Sequence, residues 1–102
     1  MSMMPGPAVG VFGISVAAEL VGTGVQNLRA YERAGLLEPR RTSGGTRLYS
    51  TDDIERLRRI ASLLDAGLNL SGVAMVLDLE LENSLLREEI ADHRRQTGGG
   101  AG

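Results

Sequence analysis

Between Thr23 and Tyr49 the chain reads TGVQNLRAYERAGLLEPRRTSGGTRLY, and its punctuation suits few folds. Thr23 followed three residues later by Gln26 is a capping-box pattern, so a helix should open at Gly24 or Val25. Gly35 stands where a left-handed residue closes a helix, and Pro39 keeps the helix from resuming. Leu37 to Thr42 and Thr46 to Tyr49 then flank Ser43-Gly44-Gly45 with the spacing of a hairpin. From Thr23 to Ser50 there are five arginines (Arg29, Arg33, Arg40, Arg41 and Arg47) and two acids (Glu32 and Glu38). The local charge is +3, in a chain whose net charge is −2. Binding to a polyanion follows the local field, so overall acidity does not exclude nucleic acid.

Upstream, Ser15 is placed to cap a short helix over Val16 to Val21 that Gly22 closes. Val16, Leu20, Val25 and Leu28 are spaced to share one core. A turn of about three residues containing glycine joins the two helices, which is the helix-turn-helix pattern. Gln26, Asn27, Arg29 and Arg33 fall on the more exposed faces of the second helix, a pattern that an ordinary αα-hairpin with a solvated face also satisfies. The following segment favours DNA: Arg40, Arg41 and Arg47 lie within eight residues beside the hairpin turn, where an exposed wing can press on phosphates. All eleven basic residues are arginine, which suits bidentate phosphate or guanine contacts; a GC-rich genome produces the same bias.

Downstream, Ser50 with Asp53 opens a third helix, and Ile54, Leu57, Ile60, Ala61 and Leu64 form its apolar stripe. Arg56, Arg58 and Arg59 decorate its surface, and Gly67 stops it. Asn69 caps a fourth helix carrying Leu70, Val73, Val76 and Leu77 toward the core. From Val76 the spacing becomes that of a coiled-coil seam: Val76, Leu79, Asn83, Leu86, Ile90 and His93. Asn83 on such a seam sets register, and His93 reads as a polar residue near a fraying helix end. Leu77, Leu81 and Leu85 make a second row placed to pack on the body of the domain. The expected organisation is a disordered tail over 1–10, a DNA-binding domain over 11–75, a dimerisation helix over 76–96 and a Gly-rich tail over 97–102.

Several functions find no residues here. The chain has no cysteine and one histidine, so no metal site and no cofactor is expected. No nucleophile–base pair or phosphate-cradling loop can be assembled, so an enzyme is not expected. No apolar run approaches the roughly 20 residues needed to span a bilayer, and no signal peptide opens the chain, so the expected location is the cytoplasm. Only Phe12, Tyr31 and Tyr49 are aromatic; the core must rest on aliphatic side chains, and oligomerisation would bury more of them.

The run LRAYERAGLLEPRRTSGGTRLYSTDDIERLRRIASLLDAGLNLSGVAMVL resembles the MerR family of transcriptional regulators, from Ile14 to about Leu77. ISVAAELVG and the RTSGG wing are most similar to its heat-shock-repressor subgroup. The resemblance implies a mainly α fold with a small β-hairpin wing, a winged helix-turn-helix followed by a helix that pairs antiparallel with its twin. It implies that Arg29 and Tyr31 contact the DNA backbone, that Gln26 and Asn27 face bases, and that Arg47 and Tyr49 match the wing's Arg-x-Tyr, whose tyrosine helps to seat the wing. Ala30 departs from the aromatic or histidine common before the matched tyrosine, which removes one backbone contact. No effector domain or cysteine-bearing metal loop follows the pairing helix, so direct sensing of a drug or metal is not expected.

The function expected from these features is a dimeric, sequence-specific regulator, a repressor, on inverted repeats of double-stranded DNA. Its homodimer seam is Val76, Leu79, Asn83, Leu86 and Ile90. Two rivals stand beside it: an architectural, excisionase-like DNA-bending protein, and a modulator that heterodimerises with another regulator.

Overall fold

The computed structural model describes Gly6 and residues 8–98; the outermost parts of both expected tails lie outside the described residues. In chain order come α1 (Ile14–Val21), α2 (Val25–Arg33), β1 (Arg40–Arg41), β2 (Arg47–Leu48), α3 (Thr51–Asp65) and α4 (Leu70–Gly98). The chain divides into two compact units, Met1–Leu70 and Ser71–Gly102.

In the first unit, α1, α2 and α3 stop in the same way. Gly22, Gly35 and Gly67 have φ of 81°, 76° and 101°, a region that costs other residues a clash at Cβ. Behind each, an amide reaches back over the last turn: Thr23 N–H donates to the Ala18 carbonyl (3.0 Å), Leu36 to Tyr31 (3.0 Å) and Leu68 to Leu63 (3.1 Å). These stops make the α1–α2 turn short and send the chain out of α2 into the hairpin.

The helix starts are less uniform. α3 has the complete capping box: the Asp53 amide donates to Ser50 Oγ (3.0 Å), and the Ser50 amide donates to Asp53 Oδ2 (2.8 Å). α2 opens at Val25 as expected, but its N-cap is Gly24 and no side chain caps it. The Thr23 hydroxyl instead accepts from Asn27 Nδ2 (2.7 Å), so the Thr23–Gln26 box does not form. α1 begins at Ile14 rather than Val16, with Gly13 and not Ser15 at the cap, because Ala17 N–H already bonds the Gly13 carbonyl (2.9 Å).

That earlier start accompanies a different buried face. Ala17 and Ala18 are in the core, whereas Val16 and Leu20, expected there, are 46% and 41% exposed. α1 contacts both α2 and α3, and two alanines at the contact allow a closer approach than branched side chains would. On α3 the buried set is Ile54, Leu57, Ile60 and Leu63; Ala61 and Leu64 are only partly covered. Residues three apart form a ridge inclined to the helix axis, so α3's covered strip runs obliquely and reaches Leu63 rather than Leu64.

β1 and β2 pair antiparallel, Arg40 opposite Leu48 and Arg41 opposite Arg47. Gly45, at φ 85°, lets the turn close with its amide on the Thr42 carbonyl (2.9 Å). Beside the hairpin, Phe12 bridges Tyr49 through Tyr49 N–H to the Phe12 carbonyl (2.7 Å) and Phe12 N–H back to Tyr49 (3.0 Å). A Cβ at Gly10 would stand 3.0 Å from Leu48 Cβ, so the chain can cross the wing there only as glycine without a shift. This unit is a winged helix-turn-helix.

In the second unit, α4 runs unbroken to Gly98. Val73 and Leu77 are buried, and every residue from Asp78 to Ile90 is exposed. Leu81 and Leu85, expected to pack on the domain body, are 59% and 55% exposed: only Leu77 of that row is covered.

Candidate nucleic-acid interface

α2 buries only Leu28 and Tyr31, which leaves Gln26, Asn27, Arg29 and Arg33 exposed. Leu28 and Tyr31 are three apart, so one stripe anchors the helix; Val25, Ala30 and Glu32 are partly covered, and the remaining polar residues face outward. The Asn27 amide is tied to Thr23, which fixes its position in the first turn of α2.

The hairpin is tied to the same helix through an acid. Arg41 Nη2 donates to Glu32 Oε1 (2.6 Å), and Arg47 Nε donates to Glu32 Oε2 (2.5 Å). Arg41 Nη1 also bonds the Gly45 carbonyl at 3.0 Å, inside its own turn. Arg41 and Arg47 face each other across the strands, an arrangement of like charges that is unfavourable without a counter-ion. Glu32 is that counter-ion. Burial works to raise its pKa, but hydrogen bonds and attraction from Arg47 and Arg41 outweigh it and hold the carboxyl below its ordinary 4.5. The bond to Glu32 correspondingly raises the Arg47 guanidinium.

Of the arginines picked out by the sequence, Arg29, Arg33 and Arg40 are exposed and make no ion pair among the described residues. Arg41 and Arg47 are instead engaged with Glu32, although 44% and 26% of their side chains stay exposed. Tyr31 and Tyr49 are core residues, 6% and 0% exposed, so neither ring lies open on the surface. Burial raises the Tyr49 phenol pKa, and its hydroxyl finds no hydrogen-bond partner among the described residues.

Three further side chains have roles that composition and periodicity do not reveal. In the sequence Glu32 is only one of two acids in a basic stretch; the hairpin register, with two arginines opposed, is the signal that demands an acid nearby. Arg56 Nε bonds the Leu36 carbonyl (2.6 Å) just after α2, and Arg58 Nη2 bonds the Leu20 carbonyl (3.1 Å) in the last turn of α1. Both join α3 to the reading elements rather than simply decorating its surface. Periodicity showed which face of α3 is polar but not which carbonyl lies within reach.

On α4, the seam residues Leu79, Leu86 and Ile90 are 59%, 52% and 51% exposed, Asn83 is exposed and Val76 is partly covered. Among the described residues no cluster of His, Cys, Asp or Glu could hold a metal ion, and no helix is long and apolar enough to cross a membrane.

Residues 12–80 match the family described as MerR HTH family regulatory protein, over more than half of the chain. This chain belongs to the MerR family. Among MerR-type relatives it is 45% identical over 83 residues to a Streptomyces coelicolor protein named heat shock protein HspR, covering 80% of this chain and 55% of the relative. It is 39% identical over 67 residues to the HTH-type transcriptional regulator GlnR of Bacillus cereus, covering 66% and 52%. The chain thus spans about half the length of these relatives.

Among solved structures, PbrR691 of Ralstonia metallidurans, in complex with lead(II), matches with a TM-score of 0.66 and 28% identity, over 87% of this chain and 77% of that one. HiNmlR, a MerR regulator lacking the sensor domain and bound to promoter DNA, matches with a TM-score of 0.61 and 24% identity, over 86% and 74%. The latter likeness is one of fold.

Proposed function

We propose that this chain is a sequence-specific DNA-binding transcriptional regulator, acting as a dimeric repressor on inverted-repeat sites in the cytoplasm. The observation that carries the reading is the surface of the first unit, where Gln26, Asn27, Arg29 and Arg33 lie exposed on α2 beside a wing held by Glu32. Arg29, Arg33, Arg40 and the outer edge of Arg47 neutralise phosphates and set register; Gln26 and Asn27 read base edges in the major groove. Tyr31 and Tyr49 serve from the core, by seating α2 and the wing, rather than by touching DNA.

The Bacillus cereus relative is named an HTH-type transcriptional regulator, which supports the reading by kinship, and a neighbour alike in fold was solved on promoter DNA. Pairing belongs to the exposed stripe of Leu79, Leu86 and Ile90, with Asn83 within it and the partly covered Val76 at its start. A second copy laid against it covers apolar side chains that a monomer leaves in water. A dimer then places two α2 helices on successive half-sites.

Selection of duplexes from a random pool by the purified protein tests the proposal. Enrichment of an inverted repeat is expected; a pool with no enriched sequence would favour the architectural reading. Preferential pairing with another regulator in mixing experiments would favour the heterodimer.

A further inference from the structure

The carboxylate of Glu32 lies between the recognition helix and the wing and uses both of its oxygens, one on each wing arginine. Granting the DNA-binding reading above, on which this inference rests, we propose that Glu32 is a specificity-determining positioning residue. It withholds part of the wing's charge from sequence-blind phosphate binding and fixes the wing to the helix that reads bases.

The two arginines divide the work. Arg41 has both terminal nitrogens on protein acceptors, Glu32 and the Gly45 carbonyl, so it locks the hairpin. Arg47 reaches Glu32 through Nε, which leaves its two Nη groups without another partner among the described residues and able to take a phosphate oxygen. Two arginines and one carboxylate present a net charge of +1 instead of +2 to DNA. Sequence-independent affinity scales with the phosphates neutralised, so the pairing lowers background binding. Affinity for the correct site is kept because the wing is already aligned when α2 is seated, and no side-chain freedom has to be lost then.

The test measures binding of the full chain to the selected duplex and to a scrambled one, over a series of salt concentrations. Glu32→Gln should tighten binding to the scrambled duplex, steepen the logarithmic salt slope by about 1, and lower the specific-to-scrambled ratio several-fold. Glu38→Gln makes the same charge change at an exposed acid with no ion pair among the described residues, and should leave slope and ratio unchanged. Glu32→Gln with Arg41→Gln restores the wild-type net charge. It should return the slope to the wild-type value while the ratio stays low, and it carries the test if the single variant fails to fold.

Equal weakening on both duplexes with an unchanged slope would make Glu32 a structural residue only and overturn the proposal. An equal steepening by Glu38→Gln would assign the effect to the general field and overturn it as well. Wild-type protein that binds neither duplex would instead remove the DNA-binding reading itself.

Discussion

At the scale of single residues, side chains proposed to touch DNA are distinct from those that hold them in place. Gln26 is exposed, and the proposed function puts it in the first group: Gln26→Ala should cost about 1–3 kcal/mol on the selected site, the loss of a bidentate base contact, with little change on scrambled DNA. Tyr49 belongs to the second. Its buried hydroxyl has no partner among the described residues, so Tyr49→Phe removes a polar group that gains nothing from burial. Thermal denaturation should show equal or higher stability for that variant, with DNA affinity unchanged.

Glu32 gives a pH dependence with a definite sign. Its carboxyl is held below 4.5 in the folded chain by Arg47 and Arg41, so its contribution to stability is complete above that ordinary value. The contribution is lost as pH falls through the depressed folded value. A carbon-detected NMR titration of Glu32 should have its midpoint below 4.5, and Arg47→Gln should move the midpoint upward. A midpoint unmoved by Arg47→Gln would contradict the ion pair.

At the scale of elements, the stops were far more legible than the starts. A glycine after an apolar or polar run leaves few alternatives, because only the left-handed turn lets the last carbonyls find donors; Gly22, Gly35 and Gly67 all obey it. A start can be capped in several ways. Thr23 and Ser15 are plausible caps by residue type, yet the N-caps are Gly24 and Gly13, and the Thr23 hydroxyl accepts from Asn27. Ser50 and Asp53 form the capping box their spacing predicts, and Ser50→Ala should destabilise the fold by about 1 kcal/mol, seen as a lower denaturant midpoint.

Burial followed periodicity better on α3 than on α1. α3 kept Ile54, Leu57 and Ile60 inside, but α1, which contacts both α2 and α3, buried alanines and exposed Val16 and Leu20. In the candidate interface, the exposed polar residues of α2 and the arginine-bearing wing were visible in the sequence. The Glu32 bridge was not, because it depends on hairpin register and on the angle at which the chain leaves α2.

At the scale of the whole molecule, the central question is whether two copies act together. α4 holds Leu79, Leu86 and Ile90 in water on a helix whose segment 76–96 carries a net charge of −3. Replacing Leu86 and Ile90 with Asp should abolish pairing and leave a folded first unit, since neither residue is part of its core. Such a monomer should keep weak, salt-sensitive DNA binding and lose affinity for the full inverted repeat.

The direct measurement is the sedimentation mass of the wild-type complex on the selected duplex, compared in the same buffer with a duplex carrying one half-site. The account predicts two copies on the inverted repeat and much weaker binding to the half-site. One copy per duplex, bound equally well to either, would contradict it.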